Sequence, residues 1–513
     1  MAKSFPYRPM NLYQNYLEAS QAHPDCSIIF DKELVAFPEL DIETTYVASH
    51  DAILERAKQL AELGVLQGDK VIIFKGQAFD TYMLAVEVTY LGAIPVMVSY
   101  HFPSRVISVF AERLENPFIL YDTVTEEVVQ AVENIAISHK IRIEDLLQAE
   151  SKEVTFSPLP DDEIAYITHT SGTTGIPKLI CHSANTMGWR TKFQKEILDY
   201  MPERRIVGFH ISPVHSRFNI GMSSLMLLGF PLMPLSTADS ATVERMFLTY
   251  PPQAVETHPN HFVQWTELAR RNPAVFSKTN YYHSTFDAIN NATMLAFLEA
   301  SENEKAIFLQ IYGQSECGPM ILKAHTRESL RFSNARDMGT GFRDLTKACI
   351  ADENGNPLPV GEDGHIHLNS KGRAITYYKE DERFQANVYG EWWDSGDYGS
   401  MDENGHLYLK DRQVDLIEHI QSNLALEDYL LDQLDFLAEV VLVRDPAGKP
   451  QPFVAPQENR QMNMEAWWQA VSDLPYLNAP IVCAFDELPR TATMKVQRLE
   501  LERRLSEGRI DEN

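Results

Sequence analysis

Cysteine is scarce. The 513-residue chain has five, Cys26, Cys181, Cys317, Cys349 and Cys483, an odd number, scattered and never spaced as C-x-x-C. That pattern excludes a disulfide framework or a zinc knuckle and fits reduced thiols in a cytoplasm. Positive charge is the next shortage: Lys plus Arg number 45 against 72 Asp plus Glu, a net charge of −27. The resulting field repels polyphosphate backbones and argues against a nucleic-acid binder, so any anionic ligand must be held by a few local donors and cations. Long apolar runs are absent as well. The most apolar stretch, Leu225 to Leu235, is broken by Gly229 and two prolines, well short of the about 18 residues a membrane span needs. Met1 to Ser20 has neither the apolar centre of a secretory signal nor the Arg-rich, acid-poor character of a transit peptide.

What is present is an ordinary globular balance, 44% hydrophobic and 23% charged, in a chain longer than the roughly 250–300 residues one core can serve, so two or more structural units are expected. From Ile53 to Pro103 a helical pattern (AILERAKQLAEL) precedes a β-rich run (KVIIF), a second helical stretch (TYMLAVEVTYL) and a short apolar run (AIPVMVSY). This alternation recurs near Ile206–Met233, Ala254–Ala300 and Ala306–Tyr312 and predicts parallel sheets covered by helices. After Met338 short runs separated by Gly, Asn and Asp turns (ADENGNPLPVGEDGHIHL, MDENGHLYL) predict a small antiparallel β-barrel. The last hundred or so residues carry their own helical patterns (NLALEDYLLDQL, MEAWWQAVSDL, VQRLELERRL), enough for a separate small α+β domain. The expected architecture is α/β: residues 1–411 as two α/β subdomains plus the barrel, and 412–513 as a small mobile domain.

The most informative run is Tyr166 to Ile180, YITHTSGTTGIPKLI, where an apolar strand-like entry opens into Thr170, Ser171, Gly172, Thr173, Thr174 and Gly175. The glycines permit close backbone approach, the hydroxyls add donors and Lys178 adds a cation, a combination suited to surrounding phosphates. It is neither a Walker A loop nor a G-x-G-x-x-G turn, since Gly339-Thr340-Gly341 is followed by Asp344 at the sixth place. Composition alone favours a solvated turn, so other motifs must decide.

Four more motifs follow in order: Ile311-Tyr312-Gly313-Gln314-Ser315-Glu316, Asp394-Ser395-Gly396-Asp397, Asp411-Arg412-Gln413-Val414-Asp415, and Pro489-Arg490-Thr491-Ala492-Thr493-Met494-Lys495. With Thr170 to Lys178 they make the chain resemble, over most of its length, the adenylate-forming superfamily of acyl- and aryl-CoA synthetases, adenylation domains and luciferases. The loop departs from the family's signature at Leu179, where Gly is usual. The resemblance implies that a carboxylate attacks the α-phosphate of ATP, releasing pyrophosphate and leaving an acyl-adenylate. Two anions must meet, so Mg²⁺, local donors and a lysine have to be aimed where charge develops. The matching positions imply Lys495 as that lysine, brought in by closure of the small domain. Glu316 would hold Mg²⁺, Tyr312 would stack on adenine beside Gly313, Gln314 and Ser315, and Asp397, in a tight Ser395-Gly396-Asp397 turn between Trp393 and Tyr398, would hold the ribose together with Arg412.

Substrate choice in the family is set after a gate residue, matched by His215. Ser216 and Arg217 follow it where amino-acid-activating members usually place an Asp, so no carboxylate is offered to a substrate ammonium. This favours an aryl, heteroaryl or aliphatic acid contacting Ile220, Ile311, Pro319 and Met320 over a plain α-amino acid. Arg217 suits either a second acidic group of the substrate or a nearby Asp or Glu. The expected function is adenylation followed by transfer to a thiol, either coenzyme A or carrier-protein pantetheine. One segment departs from the family: Val414 stands at the hinge, Glu418 replaces a lysine and Gln421 a glycine, which weakens the thiol half-reaction and leaves adenylation untouched. An amide-forming ligase with an amine acceptor, or a nucleotide sensor with degraded catalysis, are the alternatives. Asp287 to Thr293, DAINNAT, has Asn290 and Asn291 where the family's adenine loop has glycines. His258 and His261 in HPNH read as a loop rather than a metal site, and Cys317 as a buried, inert thiol.

Overall fold

The computed structural model describes residues 4–170, 176–284, 289–334, 336–415, 417–420, 422–457, 460–490 and 495–508. The chain forms two compact units: Met1–Glu256 with Gln314–Pro319 and Ser370–Ala386, and Thr257–Gly313 with Met320–Asn369 and Asn387–Asn513. A large mixed α/β region with two sheets is followed by a smaller, β-rich C-terminal domain, as the alternating patterns imply.

In the first unit a sheet runs in the order Thr376–Tyr377, Leu179–His182, Tyr166–His169, Ile94–Met97, Lys70–Phe74, Phe118–Tyr121, Lys140–Arg142. The strands from Tyr166–His169 onward in that order pair in parallel, which requires helical crossovers and leaves both faces covered. That is why KVIIF reads as a nearly unbroken apolar run. Ile72, Phe74, Val96, Phe110, Ile119 and Ile167 fill this core at 0% exposure. The helix Asp80–Tyr90 is buried on every side. Its Asp80 is neutralised by Lys75, whose Nζ lies 2.6 Å from Oδ1, while Oδ2 accepts the Ala36 N–H at 3.0 Å. The other end of the sheet turns antiparallel: Leu179–His182 returns beside Tyr166–His169, and Thr376–Tyr377 adds along its far edge.

In the second unit the parallel pair Tyr281–Ser284 and Ile307–Gln314 is followed by antiparallel strands in the order Gly318–His325, Asp337–Gly341, Leu407–Arg412, Trp392–Met401, Asp363–Ser370, Thr346–Ala351. These are the short strands expected after Met338. The C-terminal segment has its own sheet, Leu437–Arg444 against Pro450–Pro456, with Ile481–Val482 on the edge. Alternation divides its side chains: Val440, Leu442 and Val454 pack with Leu430 and Trp467, while Val441, Val443 and Phe453 pack on the other face with Leu501.

Three local expectations are corrected. HPNH is not a loop: His258 stands just before the helix Pro259–Arg271, with Pro259 at its first turn, where a missing N–H costs nothing, and His261 lies inside it. Asp394–Asp397 is not a tight turn but part of the strand Trp392–Met401. It carries a positive φ of 73° at Gly396, with register shifts against both neighbouring strands. The predicted helix MEAWWQAVSDL is helical only over Met464–Ala470.

Trp467 anchors the C-terminal core at 0% exposure. Trp467→Ala is expected to lower unfolding stability by about 3–5 kcal/mol in chemical denaturation. A loss under about 1 kcal/mol would show that this core does not depend on the indole.

Candidate functional site

The phosphate-type loop joins two antiparallel strands, and its two ends are tied together. Thr170 N–H donates to the Lys178 carbonyl at 3.0 Å and Lys178 N–H donates to Thr170 Oγ1 at 3.0 Å. Ser171, Gly172, Thr173, Thr174 and Gly175 lie outside the described residues. His169, buried at the loop's entry, accepts the Ser99 N–H on Nε2 at 3.1 Å, so its proton sits on Nδ1, which donates to the Thr170 carbonyl at 2.7 Å. Burial lowers its pKa to about 4, keeping the imidazole neutral.

Strand register then brings up a residue that sequence reasoning missed. Tyr377 pairs with Ile180, two residues beyond Lys178. Its hydroxyl accepts from Lys178 Nζ at 2.9 Å and donates to Glu316 Oε1 at 2.7 Å, with Lys178 Nζ 4.4 Å from the ring centre. Burial, then the Glu316 charge, push its phenol far above the usual range, so it stays protonated. Lys178 Nζ lies 3.8 Å from the same carboxylate oxygen.

A second missed residue, Arg190, is buried in the helix Ala184–Leu198. It donates to the carbonyl of Glu316 at 2.7 Å, to the carbonyl of Gly372 at 2.7 Å and to Ser216 Oγ at 3.1 Å. Burial lowers its pKa to about 10, still charged at neutral pH. Ala374 N–H adds a 2.7 Å bond to the Glu316 carbonyl. The backbone of Glu316 is thereby fixed, while its side chain keeps one oxygen, Oε2, that no donor among the described residues reaches. One buried, oriented carboxylate with a free oxygen fits a hard divalent cation that retains several waters. Among the described residues there is no cluster of three or more His, Cys, Asp or Glu to hold a metal otherwise.

In the same unit, Ser216 opens the buried helix Ser216–Leu227 directly after His215, and Ile220 within it is at 0% exposure. Arg217 is engaged bidentately by Glu256, at 2.7 and 2.6 Å, and donates to Gln194 at 2.6 Å. Its charge is therefore already paired within the fold. Cys317 is fully buried, and burial pushes its thiol up to about 12, in keeping with an inert side chain.

The motif Ile311–Glu316 passes from one unit to the other, with Tyr312 and Gly313 in the second, Gln314, Ser315 and Glu316 in the first, and Pro319 and Met320 divided likewise. In the second unit Tyr312 donates its O–H to Asp397 Oδ2 at 2.7 Å. The positive φ of 73° at Gly396 and the 3.1 Å bond from Asp397 N–H to Ser395 Oγ hold that carboxylate in place. Pairing of Trp392–Met401 with Leu407–Arg412 puts Arg412 opposite Asp397, with Nε 3.7 Å from Oδ1 and the side chain 43% exposed. An aromatic ring, a carboxylate and a half-exposed guanidinium are thus collected on one sheet, Asp397 and Arg412 on adjoining strands and Tyr312 on a strand farther along it. Asn290, in place of a glycine, caps the helix Asn291–Ala300 by accepting the Thr293 N–H at 2.8 Å.

Lys495, half-buried, also belongs to this unit, next to a bridge between Arg490 and Val496. Beyond Arg412 the chain is tightly bound. Asp411 accepts the Asn423 N–H, Asn423 Nδ2 donates to the Asp415 carbonyl at 2.6 Å, and Arg336 pairs with Asp428 at 2.7 Å. Val414 lies in the short turn Gln413–Asp415, Glu418 is exposed, and Gln421 is outside the described residues.

The AMP-binding enzyme family matches residues 19–378. The 3-amino-2-hydroxy-4-methoxybenzoate diazotase of Streptomyces cremeus is 30% identical over 511 residues, 93% of this chain and 92% of that protein. The 4-chlorobenzoate–CoA ligase of Arthrobacter sp is 22% identical over 523 residues, 92% of this chain and 93% of that one. The o-succinylbenzoate CoA synthetase of Bacillus subtilis, solved with its acyl-adenylate intermediate, has the same fold: TM-score 0.78 at 18% identity, covering 97% of this chain and 99% of that chain.

Burial raises the pKa of Asp411 to about 7, against the opposing pull of the Asn423 N–H. Since the folded value lies above the unfolded one, its contribution to stability is complete below about pH 4 and is lost as pH rises through about 7. Asp411→Asn is expected to flatten the fall in unfolding stability across that window. An unchanged pH profile would contradict the assignment.

Proposed function

The chain belongs to the AMP-binding enzyme family, AMP-forming carboxylate ligases that condense an acid with ATP into an acyl-adenylate and pyrophosphate, and from that premise we propose that it hands the activated group to an aromatic amine rather than to a thiol. In the proposed reaction the acid is nitrous acid and the product an aryl diazonium. The observation that carries this is the 30% identity, over 93% of the chain, with a diazotase acting on an aminobenzoate.

Nitrite and a carboxylate are both bent, planar anions with two equivalent oxygens, so the same donors serve either in attack on the α-phosphorus. A nitrite oxygen displaces pyrophosphate, giving a nitrosyl adenylate. The amine attacks its nitrogen, AMP leaves, and the N-nitrosoamine takes up one proton and loses water to become the diazonium. Magnesium, when bound, neutralises charge on the phosphates. Glu316 would hold it by the oxygen that Tyr377 leaves open. Lys178 and the hydroxyls of the Thr170–Gly175 loop would face phosphates, and Lys495 would reach the oxygens where charge develops, carried by a small domain from residue 412 that closes on the site. Asp397 and Arg412 would hold the ribose, and the bond from Tyr312 to Asp397 would fix the ring that stacks on adenine. Ser216, His215, Ile220, Ile311, Pro319 and Met320 would surround the aromatic partner. Arg217, already paired with Glu256, supports the fold of that pocket rather than a second substrate charge.

The altered hinge supports the amine over the thiol. Val414, Glu418 and Gln421 replace the residues the family uses in presenting the small domain to a thiol, and the bonds around Asn423 and Arg336 bind the following segment down. A coenzyme A acceptor is the second reading, favoured by the likeness to 4-chlorobenzoate–CoA ligase. Five unbridged cysteines accord with a cytoplasmic setting, and no described helix is long and apolar enough to cross a membrane.

Purified protein with ATP, Mg²⁺, nitrite and a panel of aminobenzoates is expected to release pyrophosphate in a nitrite-dependent way and to yield a diazonium that couples to a naphthol as a coloured azo product. Lys495→Ala is expected to slow it by about 10²–10³. Release driven by carboxylic acids and coenzyme A without nitrite would favour the thiol reading.

A further inference from the structure

We propose that Tyr377 is a positioning residue that holds the Lys178 ammonium and the Glu316 carboxylate apart, keeping the carboxylate's charge for a divalent cation and the ammonium's for a phosphate. This rests on the adenylate-forming reading above and adds to it a residue no motif contains.

Left alone, a lysine and a carboxylate this close would collapse into a direct ion pair, because they sit where water screens little, with side chains 23% and 10% exposed. The tyrosine prevents this by occupying the gap. An ammonium has only donors, so the phenol oxygen must accept from it, at 2.9 Å, and the phenol proton has one direction left, toward Glu316 Oε1 at 2.7 Å. Lys178 is kept at 3.8 Å from that oxygen. The spacer is rigid: Tyr377 is 0% exposed, registered against Ile180, and packed edge-on against Phe384 with ring centres 5.1 Å apart. Glu316 cannot drift toward the lysine, since Arg190 and Ala374 both hold its carbonyl at 2.7 Å. A bond to a carboxylate oxygen also orients its partner oxygen, the role that outer hydrogen bonds play for metal-binding groups.

The test is Mn²⁺ binding, measured by electron paramagnetic resonance with α,β-methylene-ATP, in the wild type, Tyr377→Phe, Lys178→Met and the double variant. Phenylalanine keeps the ring against Phe384 and removes only the hydroxyl. Tyr377→Phe alone is expected to weaken Mn²⁺ binding about 10-fold, because Lys178 closes onto Glu316. In the Lys178→Met background the same change is expected to cost less than about 2-fold, since no ammonium remains to close. Equal losses in the two backgrounds would overturn the proposal by reducing the tyrosine to packing, as would no loss in either. Lys178→Met alone gives an independent reading, taken at nucleotide saturation because the loss of this cation is expected to weaken the nucleotide itself: Mn²⁺ affinity no tighter than wild type is expected, whereas about 10-fold tightening would mean the lysine already competes with the metal and the tyrosine separates nothing. A wild type that binds no Mn²⁺ with the nucleotide would remove the adenylate-forming reading itself, an outcome distinct from a wild type that binds while the variants fail to differ.

Discussion

Holding one buried carboxylate, Glu316, in a fixed orientation with one oxygen left open is the constraint on which the candidate site of the first unit depends. Glu316 satisfies it through two separate sets of contacts. Its backbone carbonyl is held by a buried arginine and a backbone N–H, which fixes where the side chain starts. Its carboxylate accepts one phenolic proton and leaves an oxygen open. Arg190 is costly to bury, and three hydrogen bonds to two carbonyls and a serine offset that cost without consuming a carboxylate. The positive charge is thereby bonded to the Glu316 backbone and not to its carboxylate.

The second unit does something different, bringing a ring, a carboxylate and a guanidinium close to one another. Strand pairing does most of this: Arg412 faces Asp397 because the two strands are in register there, and the register shift against Asp363–Ser370 around Gly396 accompanies the bond from Tyr312 to Asp397. The net charge of −27 gives these local arrangements their importance, because the protein as a whole repels a nucleotide triphosphate. In the proposed reading, binding comes from short-range donors such as Lys178, Arg412 and Lys495; Lys178 Nζ and Arg412 Nε lie 3.8 and 3.7 Å from a carboxylate oxygen.

Much of this was legible in the sequence. Apolar periodicity identified the covered parallel strands and the separate C-terminal core, and motif order pointed to Lys178, Glu316, Tyr312, Asp397 and Arg412. Two residues were not legible for a physical reason. Tyr377 acts on Glu316 across 61 residues and Arg190 across 126. Neither lies in a motif or a distinctive pattern, and only sheet register and helix packing bring them in. A weak cue existed for Arg190, a lone arginine in a helix whose neighbours Met187, Gly188 and Phe193 are buried. Misread turns had local causes: Pro259 starts a helix instead of breaking one, and the glycine of Ser395-Gly396-Asp397 bulges a strand instead of ending it.

Chemistry and fold meet in the claim that an oxyacid oxygen attacks the α-phosphorus before any nitrogen–nitrogen bond forms. The most direct measurement supplies nitrite labelled with ¹⁸O, together with ATP, Mg²⁺ and an aminobenzoate, and weighs the AMP released by mass spectrometry. The account predicts AMP carrying one ¹⁸O atom. Diazonium formed alongside unlabelled AMP, or alongside ADP, would contradict it.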